Sequence, residues 1–422
     1  MKMVVTNGQV EGAVDASPSK SYTHRALVLA SLAEGSSTIS RPLLGGDTLA
    51  TLAAIRSFGA GTRSTDHDLM VLGGKLHCPD DVIDAANSGT TIRLMAGIAS
   101  LLPCHTVLTG DESIRRRPMQ PLIDALRQLG VECHSSRGNG LAPLIVRGPN
   151  VGKKAAIPGD VSSQFISSLL ISSPLKSVDT RIELTTELKS RPYVDMTIEM
   201  MARFGVHADV VDDGFFVSGG QSYLAQRYEI PGDYSSAAFP LAAGALTGKV
   251  EVRRLDPSDL QGDRVILDLL RGFGTDLKEY RDRVVSSRSR LRGCRVDLGN
   301  APDLFPIIAV LASQAEGRSV LENAEHVRYK ESDRISATLA FLRKMGAKVE
   351  ERPDGCVIDG PCRLQGAEVD SLGDHRILMA AAVAGLVADG TTTISEGDCY
   401  KISYPGFMDD MISLGATMGG RD

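Results

Sequence analysis

The segment VRYKESDRISATLAFLRKMG, residues 327–346, opens with a dense group of charges and continues as an amphipathic helix. The charged side chains are Arg328, Lys330, Glu331, Asp333 and Arg334. A carboxyl group held between cations can transfer protons in a reaction, because neighbouring charges set both its position and its pKa. The alternative is a solvated helix end, and the rest of the sequence decides between the two.

Cations recur at the predicted starts of helices. Unpaired N–H groups give a helix N-terminus partial positive charge, so Lys or Arg in the first turn is unfavourable unless an anion joins it. Seven residues break this local rule: Lys20, Arg25, Arg93, Arg117, Lys330, Arg334 and Arg376. Each taken singly fits a solvated surface residue, but together at equivalent positions they predict bound anions. Arg suits carboxylate or phosphate and Lys suits phosphate, so we predict small, multiply anionic ligands. For GDYSS at 232–236, where the cations are missing, we predict helix capping alone.

The elements that carry these residues form six repeats of about seventy residues. A polar turn leads each time into an apolar helix, and the copies start at Ser17, Ala86, Pro158, Pro231, Asn300 and Leu372, at intervals of 69, 72, 73, 69 and 72. An amphipathic helix follows in every copy and ends at Gly59, Gly130, Gly205, Gly274, Gly346 or Gly415. Glycine just past a helix supplies a left-handed cap. Strand-like stretches complete each repeat, which indicates an α/β fold.

The first helix of each repeat, for example ILMAAAVAGLVA, is apolar on nearly all sides and predicts a helix buried on every face. Three such helices inside a layer of strands and amphipathic helices would make one domain, so six repeats predict two. A length of 422 residues agrees with two domains, and an extended repeat array is the weaker interpretation.

Composition excludes several classes of protein. A net charge of −6 argues against nucleic-acid binding, and no segment is long and apolar enough for a membrane span. Seven scattered cysteines without C-x-x-C fit a reducing cytoplasm and exclude a zinc knuckle. Neither a P-loop motif nor a strand-linked G-x-G-x-x-G occurs. We predict a cytoplasmic protein, without metal or cofactor, that acts as a monomer.

Short motifs occur over the full length of the chain: S-K-S-x-x-x-R at 19–25, N-x-G-T-x-x-R at 87–93, R-P at 117–118, S-S-Q-F at 162–165, P-D at 302–303, R-x-K-E-S-D-R at 328–334, D-H-R at 374–376 and S-Y-P-x-F at 403–407. Together these motifs closely resemble those of the 3-phosphoshikimate 1-carboxyvinyltransferase (EPSP synthase) family of enolpyruvyl transferases. The resemblance implies two inside-out α/β barrel (prism) domains of three repeats each, with buried parallel helices. One would comprise residues 1–13 plus 228–422 and the other 14–227, with the active site in the cleft between them and closure on ligand binding.

The resemblance also implies the reaction, in which the enolpyruvyl group of phosphoenolpyruvate passes to the 5-hydroxyl of shikimate 3-phosphate and phosphate leaves. Residues implied to bind shikimate 3-phosphate are Lys20, Ser21, Arg25, Ser162, Ser163, Gln164, Ser190, Tyr193, Asp303, His326 and Lys330. Those implied to bind phosphoenolpyruvate are Lys20, Gly89, Thr90, Arg117, Arg334, His375, Arg376 and Lys401. By the same resemblance Asp303 is the base and Glu331 the acid, while Lys20 protonates the bridging oxygen of the departing phosphate. Lys330 and Arg334, four apart on one predicted helix face, would balance the charge of Glu331.

The sequence departs from the family pattern at three positions. The family's lysine in the last motif is replaced by Ile402, and Lys401 is its candidate substitute. His326 stands where many relatives have Asn, and Leu94 replaces a common Pro. Among rivals, UDP-N-acetylglucosamine enolpyruvyltransferase would have Cys before the R-P motif, and TGDESIRRRP has none. RNA 3′-phosphate cyclase would require a basic surface. A non-catalytic anion-binding repeat protein would have no use for Glu331 and Asp303.

Overall fold

The computed structural model of the protein describes residues 1–65 and 67–421, which form two compact units. The first unit consists of Met1–Ser19 and the chain from Pro231 onward, and the second of Lys20–Ile230. The strand Glu11–Asp15 pairs along its whole length with Lys249–Arg253, which places this strand in the first unit.

The α-helices are α1 (Lys20–Leu32), α2 (Gly46–Ser57), α3 (Gly89–Ala99), α4 (Gln120–Gln128), α5 (Ser163–Ser172), α6 (Arg191–Arg203), α7 (Tyr234–Thr247), α8 (Ile266–Gly272), α9 (Phe305–Gln314), α10 (Arg334–Lys344), α11 (His375–Val387) and α12 (Phe407–Ser413). Short 3-10 helices span Ile114–Arg116, Ser173–Leu175, Gly262–Val265, Pro302–Leu304, Glu325–Tyr329 and Cys399–Ile402.

The strands are β1 (Lys2–Thr6), β2 (Glu11–Asp15), β3 (Gly35–Ser40), β4 (Gly61–Ser64), β5 (Asp68–Gly73), β6 (Ile83–Asp84), β7 (Thr106–Thr109), β8 (Glu132–Ser135), β9 (Leu144–Arg147), β10 (Lys154–Ile157), β11 (Thr180–Leu184), β12 (Asp209–Val211), β13 (Gly214–Val217), β14 (Arg227–Glu229), β15 (Lys249–Arg253), β16 (Asp276–Glu279), β17 (Arg283–Ser287), β18 (Arg295–Asp297), β19 (Gly317–Glu322), β20 (Lys348–Arg352), β21 (Gly355–Gly360), β22 (Glu368–Val369), β23 (Thr391–Ile394) and β24 (Met418–Arg421).

The strands form six four-stranded sheets, and each sheet mixes parallel and antiparallel pairs in the same order. The repeat β6–α3–β7–α4–β8–β9 illustrates it. β6 and β7 pair in parallel across α3, while β9 pairs antiparallel with both β7 and β8. The fold is therefore mixed α/β, with two helices and four strands in every repeat.

Three of the sheets recruit a strand from a distant part of the chain. β14 closes the sheet of the first repeat by pairing with β3, and β2 completes the sheet of β15. β1 lies between β23 and β24, so the N-terminal strand completes the sixth repeat. Both units consequently contain three whole repeats.

The first helix of each repeat is buried, as predicted. In α11 every residue from His375 to Leu386 is buried, and α7 and α9 pack against it in the core of the first unit. In the second unit α3 and α5 approach closely, since a Cβ added to Gly97 would lie 2.6 Å from the Ser168 carbonyl oxygen. Small residues in these helices thus permit close packing around a single apolar core per unit.

The glycines after the second helices have the predicted left-handed conformation, with φ between +82° and +109° at Gly59, Gly130, Gly205, Gly274, Gly346 and Gly415. Cys78 and Cys104 form a disulfide. The sequence analysis, which found the cysteines scattered, did not predict this bond. Within residues 1–65 and 67–421, no helix combines the length and apolar character that crossing a membrane requires.

Candidate active site

Arg334 is the centre of a charged cluster in the first unit. It is the first residue of α10, and its side chain is only 1% exposed. The guanidinium donates to Glu331 Oε2 at 2.6 Å, to Asp303 Oδ1 at 2.7 Å and to Asp374 Oδ2 at 2.8 Å. A single buried cation therefore binds three carboxylates from three segments of the chain.

Asp303 receives two further cations. It lies in the turn Pro302–Leu304 before α9, where Arg376 Nη2 is 3.0 Å from Oδ2 and Lys330 Nζ is 3.7 Å from Oδ1. Burial pushes the pKa of Asp303 upward, but Arg376, Lys330 and Arg334 outweigh burial and hold that pKa well below its usual range. In this arrangement Asp303 is a carboxylate with little affinity for a proton.

Lys330 and Arg334 were predicted to share one helix face, and this prediction is wrong. Lys330 lies in the segment 330–333 before α10, whereas Arg334 is the first residue of the helix. Burial alone would lower the pKa of Arg334, but Asp374, Glu331 and Asp303 raise it above its ordinary value, and the guanidinium stays charged.

Asp374 has a positioning role that sequence reasoning did not assign. It caps α11 by accepting from the Arg376 backbone N–H at 2.9 Å, and it also accepts from Ser332 Oγ at 2.9 Å. The fully buried His375 and the nearly buried Arg376 follow it as the first residues of α11. The D-H-R motif thus aligns Arg376 toward Asp303 through a helix cap.

A further carboxyl of the first unit, that of Asp263, was also not predicted. It is 1% exposed and accepts a hydrogen bond from Ser235 Oγ, next to the predicted and confirmed cap Asp233 of α7. Burial raises the pKa of Asp263 to about 6, Asp303 adds to this rise and Arg376 opposes it. The available signal was its position in LQGD, at the start of the fourth repeat's second helix.

In the second unit, Arg117 lies over the N-terminus of α3. A Cβ added to Gly89, the first residue of α3, would lie 2.8 Å from Arg117 Nη1. Arg117 is 6% exposed, and its Nη2 donates to Ser113 Oγ at 3.0 Å and to Asn87 Oδ1 at 3.3 Å. A guanidinium held at a helix N-terminus by neutral oxygens is favourable when an anion also binds there.

Polar side chains join the starts of α3 and α5. Arg93 Nη1 donates to Gln164 Oε1 at 2.6 Å and to Ser162 Oγ at 3.3 Å, while Gln164 Nε2 donates to Thr90 Oγ1 at 2.8 Å. Ser162 caps α5, whose first residue is the buried Ser163. Two predicted motifs, N-x-G-T-x-x-R and S-S-Q-F, therefore meet at one end of the second unit.

Arg25 is the most buried cation of the second unit. Its Nε donates to Thr197 Oγ1 at 2.7 Å, and its Nη groups donate to the carbonyl oxygens of Ser21 at 3.1 Å and Tyr193 at 3.0 Å. Burial lowers the pKa of Arg25 to about 10. Arg25 and Arg93 are the sixth and fifth residues of their helices, so both lie in the second turn instead of the predicted first.

Lys20 and Ser190 begin two further helices. Lys20 starts α1 and forms a 2.8 Å salt bridge with Asp47, a buried residue of α2 that sequence reasoning missed. Ser190 precedes α6 with a left-handed φ of 54°, a conformation that costs energy in a residue other than glycine and is often found at functional sites.

Two further predicted residues, Lys401 and His326, lie in short 3-10 turns of the first unit. Lys401 is exposed in the turn Cys399–Ile402 and forms no salt bridge with the part of the chain described here. His326 is half-buried in Glu325–Tyr329, a turn that packs against the turn of Asp303. Their assignment to substrates remains a prediction.

The chain is similar to known proteins over nearly its whole length. The family model for EPSP synthase (3-phosphoshikimate 1-carboxyvinyltransferase) matches residues 4–411. Relatives named 3-phosphoshikimate 1-carboxyvinyltransferase include those of Methanocorpusculum labreanum, 53% identical over 99% of both chains, and Methanocaldococcus jannaschii, 45% identical over 99% of this chain and 98% of that one. The solved EPSP synthase of Acinetobacter baumannii superimposes with a TM-score of 0.84 at 26% identity over 99% of both chains.

Proposed function

The chain belongs to the EPSP synthase (3-phosphoshikimate 1-carboxyvinyltransferase) family, and from this premise we infer that it transfers the enolpyruvyl group of phosphoenolpyruvate to the 5-hydroxyl of shikimate 3-phosphate and releases phosphate. This is a transferase reaction of the shikimate pathway. The observation that carries the proposal is the pair Asp303 and Glu331 on the single guanidinium of Arg334. The alternative activity, that of UDP-N-acetylglucosamine enolpyruvyltransferase, is disfavoured because the relatives are named 3-phosphoshikimate 1-carboxyvinyltransferase.

The finer architecture follows from the family. We propose two inside-out prism domains, approximately residues 1–13 plus 228–422 and 14–227, which bind the substrates between them and close on binding. In support, each unit has three sheets and three buried helices.

The two substrates share Lys20 and are otherwise assigned to different cations. Shikimate 3-phosphate would contact the helix starts of the second unit and His326, Lys330 and Asp303 of the first. Phosphoenolpyruvate would contact Arg117 and Gly89 with Arg334 and Arg376. Charge-assisted hydrogen bonds of this kind contribute about 1.5–3 kcal/mol each, which suits multiply anionic ligands.

Competition for cations provides a way to activate Asp303. Arg334 and Arg376 now hold its carboxylate and keep its pKa low. A carboxylate or phosphate of phosphoenolpyruvate that draws these guanidinium groups toward itself would weaken both ion pairs. The pKa of Asp303 would then rise, and the carboxylate could accept the proton of the 5-hydroxyl as that oxygen attacks phosphoenolpyruvate.

The same competition would act on Glu331, whose Oε2 accepts from Arg334. A weaker ion pair favours the protonated form of Glu331, which is the form that can protonate the methylene carbon. Elimination then returns a proton from the new methyl group to the Glu331 carboxylate, while the ammonium of Lys20 protonates the bridging oxygen of the departing phosphate. Asp47, 2.8 Å from Lys20 Nζ, would orient Lys20 for this step.

Phosphate release from phosphoenolpyruvate, measured with and without shikimate 3-phosphate, tests the proposal. We expect release only when shikimate 3-phosphate is present, and an enolpyruvyl ether as the second product. Release supported by UDP-N-acetylglucosamine, or no dependence on shikimate 3-phosphate, would refute it. Cytoplasmic location and a monomeric state stay predictions, and gel filtration of the purified chain tests the latter.

A further inference from the structure

A cavity of about 400 Å³ lies in the second unit, at the opposite ends of the helices from the polar cluster described above. Its walls include Leu32 at the end of α1, Leu102 after α3 and Leu175 after α5. Val151 also lines it and is 59% exposed, so the cavity is open to small molecules on that side.

Most of the residues that line this cavity are apolar, and one lining residue, Lys176, is ionisable. It is 4% exposed, and its Nζ donates to the Gly152 carbonyl oxygen at 2.7 Å and to Asn150 Oδ1 at 3.1 Å. Both acceptors are neutral, and within residues 1–65 and 67–421 no carboxylate lies within 4.0 Å of Nζ. Burial lowers the pKa of Lys176 to about 8.

The hydrogen bonds suit the uncharged form of this amine. A neutral amine has two N–H groups, and Gly152 and Asn150 provide one acceptor for each. Its lone pair is then the remaining valence of the nitrogen, and Lys176 is among the residues that line the cavity. Desolvation by an apolar pocket is a common way to make a lysine nucleophilic toward carbonyl compounds.

We propose that Lys176 is a covalent attachment site for small, mainly apolar aldehydes that enter this cavity. The Nζ lone pair forms a bond to the carbonyl carbon, the C=O π pair moves to oxygen, and a proton passes from nitrogen to that oxygen. The resulting carbinolamine loses water to give an imine. The step is reversible, needs no other reactant, and lies outside the proposed transferase reaction.

Reductive labelling of the full chain with benzaldehyde and cyanoborohydride at pH 7, followed by peptide mass spectrometry, tests this site. At a pH below the pKa, the uncharged fraction of an amine rises tenfold for each unit by which its pKa is lowered. A pKa of about 8 instead of 10.5 therefore gives about 300 times more uncharged amine. Lower basicity reduces the reactivity of each free amine, as it does for thiols. We expect Lys176 to be labelled about tenfold faster than the exposed Lys153 of the same unit.

Three variants make the result specific. Lys176→Met should remove the labelled peptide, and Lys153→Met, a matched change at an exposed lysine, should leave labelling of Lys176 unchanged. Val151→Trp should narrow the open side of the cavity and slow labelling at least about fivefold while Lys176 is still present, which covers the case in which Lys176→Met does not fold. The anionic aldehyde glyoxylate should label Lys176 more slowly than benzaldehyde.

Labelling spread evenly over the exposed lysines would overturn the proposal. So would labelling of Lys176 at the same rate in Val151→Trp. Turnover of phosphoenolpyruvate should be the same before and after labelling, because Lys176 lies outside the residues assigned to the substrates.

Discussion

Replacement of Arg334 by alanine tests the charged cluster most directly. The substitution removes the hydrogen bonds at 2.6, 2.7 and 2.8 Å that join the guanidinium to Glu331, Asp303 and Asp374. Loss of one partner from a buried ion pair costs about 3–5 kcal/mol. Three carboxylates lose a partner here, but Arg376 remains beside Asp303. We therefore expect a loss of about 3–5 kcal/mol in the first unit, together with weaker phosphoenolpyruvate binding.

The assay must report on the first unit alone, because two-state unfolding does not hold in general for a chain of two compact units. Hydrogen exchange of peptides from the buried helix α11 meets this condition. Arg318→Ala is the control, since Arg318 forms a 2.9 Å ion pair with Asp359 in which both side chains are more than half exposed. We expect its loss to stay below about 1 kcal/mol.

The dependence on pH separates charge from packing. Without the guanidinium, protonation of the buried carboxylates stabilises the folded variant. The difference in the free energy of unfolding between wild type and Arg334→Ala should therefore shrink as the pH falls. A deficit no larger than that of Arg318→Ala would refute the reasoning, and a large deficit that is constant with pH would indicate lost packing instead of lost charge pairing.

Four further predictions follow. Glu331→Gln should keep shikimate 3-phosphate binding by calorimetry but lose turnover by about 10²–10⁴-fold, and unchanged turnover would remove Glu331 from the mechanism. Gly89→Ala should raise KM for phosphoenolpyruvate about tenfold, since the added methyl group must displace Arg117, and steady-state kinetics with an unaltered KM would contradict the contact. The free energy of unfolding of the wild type, relative to Lys176→Met, should rise by up to about 3 kcal/mol between pH 8 and pH 10.5. In this range Lys176 is already uncharged in the folded protein but still charged in the unfolded chain, so the cost of burying the ammonium disappears. Urea unfolding that shows the opposite slope would disprove this prediction. Shikimate 3-phosphate should reduce the radius of gyration in small-angle scattering, and identical curves would argue against closure.

The sequence alone determined the local features of this protein. The spacing of polar turns and apolar helices predicted the six repeats, and glycines at one recurrent position predicted left-handed helix caps, because both depend on residues close together in the chain. Cations at helix starts indicated anionic ligands for the same reason. The motifs indicated the family that the comparisons identify.

Only the tertiary structure decided which charges pair. Arg334 and Asp374 are far apart in the chain, and their ion pair, with the low pKa of Asp303 and the raised pKa of Asp263, depends on distances set by the packing of α7, α9, α10 and α11. The enclosure of β1 by β23 and β24, the Cys78–Cys104 bond and the cavity at Lys176 likewise join distant segments. Coulomb energy and desolvation vary with separations in space, which local patterns of residues do not specify.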